Sequence, residues 1–158
     1  MQAKKGIIEA LNNILGDELT SINHYFLHAR MFKNWGFSAL DKVNFKKSIK
    51  DMKQADELIE RILLLEGLPN LQHLNPLRIG EHTEEMLASD IQFQSQTQSN
   101  LRSAIATCEL EQDYVSRDML TEILEHEEEH TDWIETQQYQ ITKMGIQNYL
   151  QAQISEEG

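Results

Sequence analysis

Glu127 and His130 stand three residues apart in a stretch with helical periodicity, so both side chains leave the same face of one helix. Two such Glu-x-x-His pairs from facing helices, joined by a lone carboxylate from each of two others, form the ligand set of a dinuclear metal site inside a four-helix bundle. The stretch that should carry the second pair reads Asp51, Met52, Lys53, Gln54. The carboxylate there is one methylene short, and an amide replaces the imidazole. Whether this chain oxidises a bound metal ion itself turns on that replacement.

On a charged helix a lone Glu-x-x-His is ordinarily a solvated pair, and residues 125–129 form a charge run. The other helices lift this pair out of that reading. Ile7, Leu11, Leu15, Ile22, Tyr25 and Ala29 recur at spacings of three and four, and Glu18 interrupts their apolar stripe. Leu87, Ile91, Leu101, Ile105 and Cys108 make a second stripe with Gln94 and Gln98 in its middle. Met119, Ile123, Ile134, Ile141 and Met144 make a third around Glu127 and His130. Asp51 and Gln54 lie in line with Leu58, Ile62 and Leu65. Each helix thus offers one polar layer to the core. A buried carboxylate without a counter-charge or a metal costs several kcal/mol, so something must compensate it.

The elements that position these residues follow from breakers and caps. Helices are expected over 4–35, ending at Gly36; over 39–66, opened by Ser38 with Asp41 three residues on and closed by Gly67; over 83–111; over 114–144, stopped by Gly145; and over a short amphipathic piece, 146–154. With 158 residues, two prolines, seven glycines and no repeat, the chain suits one all-α domain over 1–158. The first and third breaks are short, which makes antiparallel hairpins. The second spans about 15 residues and reaches roughly 50 Å, enough to cross the bundle and set the second and third helices parallel.

A formal charge of −12 argues against a nucleic-acid or anionic-membrane binder, and no apolar run approaches the roughly 20 residues a membrane span needs. The start leads into an amphipathic helix and not a signal peptide, and the single Cys108 fits a reducing compartment, so the cytoplasm is the expected location.

Four segments resemble a known family closely: 23–36 (NHYFLHARMFKNWG), 59–70 (IERILLLEGLPN), 113–119 (DYVSRDM) and 144–154 (MGIQNYLQAQI). They look like bacterioferritin. The resemblance implies the ferritin-like bundle with a long crossover and a short fifth helix, assembled into a hollow shell of 24 subunits. Such a shell stores iron as a ferric mineral, carries b-type haem between paired subunits, and takes electrons from a small ferredoxin. In active subunits the same resemblance implies a dinuclear ferroxidase site with Glu, Glu, His, Glu, Glu and His in chain order. This chain supplies Glu18, Asp51, Gln54, Gln94, Glu127 and His130. Glutamine oxygens are weak neutral donors where iron takes carboxylate or imidazole. Lys47, one turn before Asp51, adds positive charge, as do Lys46 and Lys50, so the site is expected to be degenerate, with Glu18, Glu127 and His130 as a residual metal set.

Tyr25 matches a tyrosine that the family places beside the site and links to electron transfer. Met52 joins Phe45, Ile49, Ile59 and Leu63 in a second apolar stripe, and matches the methionine that ligates haem iron across a twofold interface. Asn148 and Gln151 resemble residues lining a fourfold channel, and Glu109 and Asp118 those near threefold channels. His24, His28, His73, His82 and His126 show no ligand spacing of their own and read as packed or surface histidines.

The expectation is therefore an iron-storage, haem-binding subunit without ferroxidase activity, sharing a mixed shell with a ferroxidase-competent ferritin subunit. Two alternatives stay open: a self-sufficient ferroxidase with an altered ligand set, and a purely structural shell subunit.

Overall fold

The computed structural model describes residues 1–154, so the last four positions of the expected domain lie outside the described residues. Five helices follow in order: α1 (Ile7–Asn34), α2 (Ser38–Leu64), α3 (Thr83–Leu110), α4 (Tyr114–Met144) and α5 (Ile146–Ala152). No described residue lies in a strand. Among the described residues no helix is long and apolar enough to cross a membrane.

The expected bounds hold to within a few residues, and their differences have local causes. Gly6, in the left-handed region at φ 87°, delays the start of α1 to Ile7. At its far end Phe37 N–H donates to Phe32 O and Gly36 N–H to Lys33 O, with Gly36 at φ 86°. The cap of α2 is Phe37 and Ser38 is its first helical residue, while Asp41 stays in the first turn, where a carboxylate suits the helix N-terminus. Glu66, at φ 62°, ends α2 in the place expected of Gly67. Gly67 is needed for another reason: a Cβ there would stand 2.6 Å from Ile8 Cδ1.

Contacts between helices fix their directions. Pairing of Ser21 with Asp51 and Glu18 with Gln54 runs α2 antiparallel to α1. Pairing of His24 with Asp90, Tyr25 with Gln94 and Asp17 with Asn100 runs α3 antiparallel to α1 as well. Helices α2 and α3 are therefore parallel, as a long crossover requires. The crossover is held along α1 by polar side chains, with Asn12 Nδ2 donating to Leu68 O, Asn70 N–H to Asn12 Oδ1, and Asn75 N–H to Thr20 Oγ1.

Two apolar clusters flank the polar layer. Leu11, Ile14, Leu15, Leu58, Ile62, Leu101 and Ile123 fill the larger, and Phe32, Leu40, Met86 and Tyr149 fill the smaller. Tyr149 brings α5 back onto the bundle, its hydroxyl donating to Gln137 Oε1 at 2.6 Å. Met144, expected in the core stripe of α4, is exposed instead.

Candidate metal centre

All six expected ligand positions meet in the middle of the bundle. Glu18 comes from α1, Asp51 and Gln54 from α2, Gln94 from α3, and Glu127 and His130 from α4; every one of them is buried. Glu128 and Glu129, between the last two, are exposed, so the helical period sorts the charge run into an inner pair and a solvated face. Carboxylate oxygens of Glu18, Asp51 and Glu127 lie within 4.8 Å of one another.

The centre of this group is filled by Lys47. Its side chain reaches along α2 and across to α4, where Nζ pairs with Asp51 Oδ1 and lies 2.8 Å from Glu127 Oε2 and 3.0 Å from Glu127 Oε1. Although α2 also carries Lys46 and Lys50 on exposed positions, only Lys47 turns inward, one helical turn before Asp51. The two glutamines complete the arrangement as donors. Gln54 Nε2 donates to Glu18 Oε2 at 2.9 Å and to Glu127 Oε1 at 3.2 Å, while its carbonyl faces His126 Nδ1 at 3.1 Å. Gln94 Nε2 donates to Glu127 Oε2 at 2.7 Å, and its carbonyl accepts from the Tyr25 hydroxyl at 2.9 Å. Ser21 donates to the remaining oxygen of Asp51. Gln98, which shares the polar stripe of α3, turns to Thr131 Oγ1 at 2.7 Å.

Charge in the layer is nearly balanced within the protein. Burial works against the Lys47 ammonium, but the surrounding carboxylates outweigh it and raise its pKa, so it stays charged. Burial also opposes ionisation of Glu127, yet Lys47 and the two glutamines hold its carboxyl below the usual range. Glu18 goes the other way: burial, then the charges of Asp51 and Glu127, push it well above 4.5. Burial pushes Asp51 up to about 7 against the pull of Lys47. His130 is kept neutral, its pKa lowered to about 3 by burial and by Lys47. The Lys47 ammonium thus faces an ionised Glu127 carboxylate and supplies positive charge to the layer from within the protein.

Neutral His130 packs between aromatic rings, edge-on to Tyr25 at 4.8 Å and stacked on Trp133 at 5.6 Å. Its Nε2 has no hydrogen-bond partner. On the α2 to α4 side a cleft of about 440 Å³, lined by Lys46, Lys47, Lys50, His126, Glu129 and His130, leads to the layer. Three of the residues at that mouth are lysines.

Two features escaped sequence reasoning. His126 belongs to the rim of the centre through Gln54. His24 and His28, read as packed histidines, converge with Asp90 into a second buried cluster. Their i,i+4 spacing on α1 was the available signal, and only the approach of α3 reveals the third member. On the outer face of α2, Met52 and Leu63 are more than half exposed, while Phe45, Ile49 and Ile59 are half-buried. Glu109 and Asp118 both pair with Arg117 at 2.9 Å, and Asn148 Nδ2 donates to Met144 O.

Comparison with known proteins agrees with this architecture. Residues 8–144 match the family model described as a Ferritin-like domain. The chain is 41% identical over 156 residues to a bacterial ferritin of Synechocystis sp., a match that covers 98% of this chain and 100% of that protein. Over 151 residues it is 38% identical to the bacterioferritin of Brucella melitensis, covering 96% and 94% of the two chains. A bacterial ferritin of Pseudomonas aeruginosa is 39% identical over 156 residues, covering 98% and 100%. With identity at this level running nearly end to end, and the family model covering most of the helical bundle, the chain belongs to the bacterioferritins, within the ferritin family of iron-storage proteins.

Proposed function

We propose that this chain is a haem-binding subunit of an iron-storing shell that does not oxidise iron itself and works beside a ferroxidase-competent ferritin subunit. What carries the reading is the position of Lys47. Its ammonium is paired with Glu127 and Asp51, between the carboxylates that would have to bridge two cations. The residues present do not fit a ferrous pair. Two ferrous ions bring four positive charges, and an ammonium about 4 to 8 Å away would oppose each of them by a few kcal/mol at intermediate dielectric. Gln54 and Gln94 point their amide N–H groups at the carboxylates, so they act as donors to the would-be ligands and supply no anionic oxygen. Glu18 and His130 keep one free atom each, Oε1 and Nε2, but both flank a lysine that repels metal.

The second support is the outer face of α2. Met52 presents its thioether from an apolar, solvent-facing strip, which suits a contact with a second copy of this chain and a soft ligand for haem iron. When bound, haem supplies a one-electron carrier. Met52 and its apolar neighbours would hold it at an interface between two copies of the chain. A shell of 24 subunits, an electron-donating ferredoxin and a cytoplasmic setting complete the proposal. A division of labour follows, in which the partner subunit oxidises incoming Fe(II) and this chain passes electrons inward for release.

The test is aerobic addition of Fe(II) to purified shells made of this chain alone, followed by ferric absorbance. The reading expects only slow growth near the uncatalysed rate. Fast oxidation that saturates at about two irons per subunit, the stoichiometry of a two-metal site, would refute it.

A further inference from the structure

Beyond the centre just described, His24 and His28 lie one turn apart on the inward face of α1, opposite Asp90 of α3, and all three are at most 1% exposed. His24 Nε2 lies 2.6 Å from Asp90 Oδ1, and His28 Nδ1 lies 3.1 Å from the same oxygen. Burial disfavours the Asp90 anion, but the hydrogen bond from His24 and the close approach of His28 hold its carboxyl below the usual range, so this oxygen is an acceptor. His24 Nε2–H therefore donates to it. His28 approaches the same oxygen off the direction of a good hydrogen bond, and His24 Nδ1 and both ring nitrogens of His28 have no hydrogen-bond partner. Unpartnered imidazole nitrogens at full burial are rare and costly, and where these two rings crowd one oxygen, three of their four ring nitrogens are left without a partner.

A metal ion resolves the crowding. Two imidazoles and one carboxylate are a common ligand set for borderline divalent ions such as Zn(II), Fe(II) and Co(II), with a fourth position left for water. The three ligand atoms lie within 4.8 Å of one another. A tetrahedral ion with bonds of about 2.1 Å spaces its ligand atoms about 3.4 Å apart. The contacts of 2.6 Å and 3.1 Å then widen by less than about 1 Å. Unlike the central layer, this cluster holds no ammonium. Phe93 stacks on His24 with ring centroids 5.1 Å apart and also lines a cleft of about 410 Å³, so the ring covering His24 is itself reached from the surface. We propose that His24, His28 and Asp90 form a mononuclear site for a divalent transition-metal ion. Tyr25, edge-on to both His24 and His130 at 4.8 Å, stands between it and the lysine-filled centre.

Cobalt(II) chloride, titrated anaerobically into the chelator-stripped full-length protein, is the probe, with tetrahedral d–d absorption as the readout. The expected result is one Co(II) per chain, with affinity at least tenfold weaker in His24→Gln and in His28→Gln. Because either variant could lose the fold, anomalous diffraction from cobalt-soaked wild-type crystals locates the ion independently and should place it among His24, His28 and Asp90. Absence of bound cobalt, binding unchanged in both variants, or a peak only at Glu18 and Glu127 would overturn the proposal.

Discussion

Lys47→Met removes the one cation in the central layer and keeps most of the side-chain volume. It leaves Glu127, held ionised by Lys47 and two amide donors, and Asp51, held partly ionised, without a counter-charge at essentially full burial. Breaking a buried pair from one side costs about 3–5 kcal/mol, because the partner charge stays behind without water. In a chain of this size each kcal/mol lowers Tm by about 2–4 °C, so the expected loss is roughly 6 to 20 °C at pH 8 in the presence of chelator. The loss shrinks at pH 5, where Asp51 and Glu18 bind protons and the uncompensated charge falls. The double variant Lys47→Met/Glu127→Gln should recover a large part of the deficit, since it removes the stranded anion as well. Calorimetry of the wild type, the single and the double variant at the two pH values reads all of this. A single variant as stable as the wild type at pH 8, or a double variant no better than the single, would show that Lys47 does not hold the layer together.

Glu18→Gln mimics the protonated acid. Because the folded-state pKa of Glu18 is raised above 4.5, its contribution to stability is fully present below that value and is lost as pH rises through the higher one; Asp51, raised to about 7, behaves alike. Urea midpoints of the metal-stripped wild type should therefore fall between pH 5 and 8, and those of the variant should fall less; parallel slopes would contradict the assignment. Combining Lys47→Ala, Asp51→Glu, Gln54→His and Gln94→Glu restores the anionic and imidazole donors, and rapid Fe(II) oxidation should appear with it, measured by stopped-flow absorbance. Oxidation that stays slow despite correct folding would mean that the ligand set is not the deficiency. Met52→Leu should abolish most haem uptake, read from the Soret absorbance per subunit after reconstitution, with the secondary structure unchanged. Haem content equal to the wild type would exclude the thioether as the ligand.

Much of this architecture is legible along the chain. The stripe of Ile7, Leu11, Leu15 and Ile22 interrupted by Glu18, and the inner position of Glu127 and His130 within a charge run, follow from the 3.6-residue period alone. Short and long breaks between the helices set the hairpins and the crossover, and the placement of Lys47 one turn before Asp51 already announced excess positive charge in the layer. Helix ends are less legible: Glu66 takes the left-handed position expected of Gly67, and residue 67 is glycine for a separate reason, the 2.6 Å a Cβ there would leave to Ile8 Cδ1.

Periodicity assigns a residue to a face but not to a partner on another helix, and the side-chain torsions of a lysine span several Å. Only the packed bundle decided that Lys47 crosses from α2 to Glu127 on α4, and that Gln54 and Gln94 turn their N–H groups toward the carboxylates. The approach of α3 likewise brought Asp90, distant in sequence, against His24 and His28, which converts two apparently ordinary core histidines into a three-sided ligand set. Local sequence set each helix's inward face; which atoms meet there depends on the antiparallel register between helices, and that register is a property of the whole core.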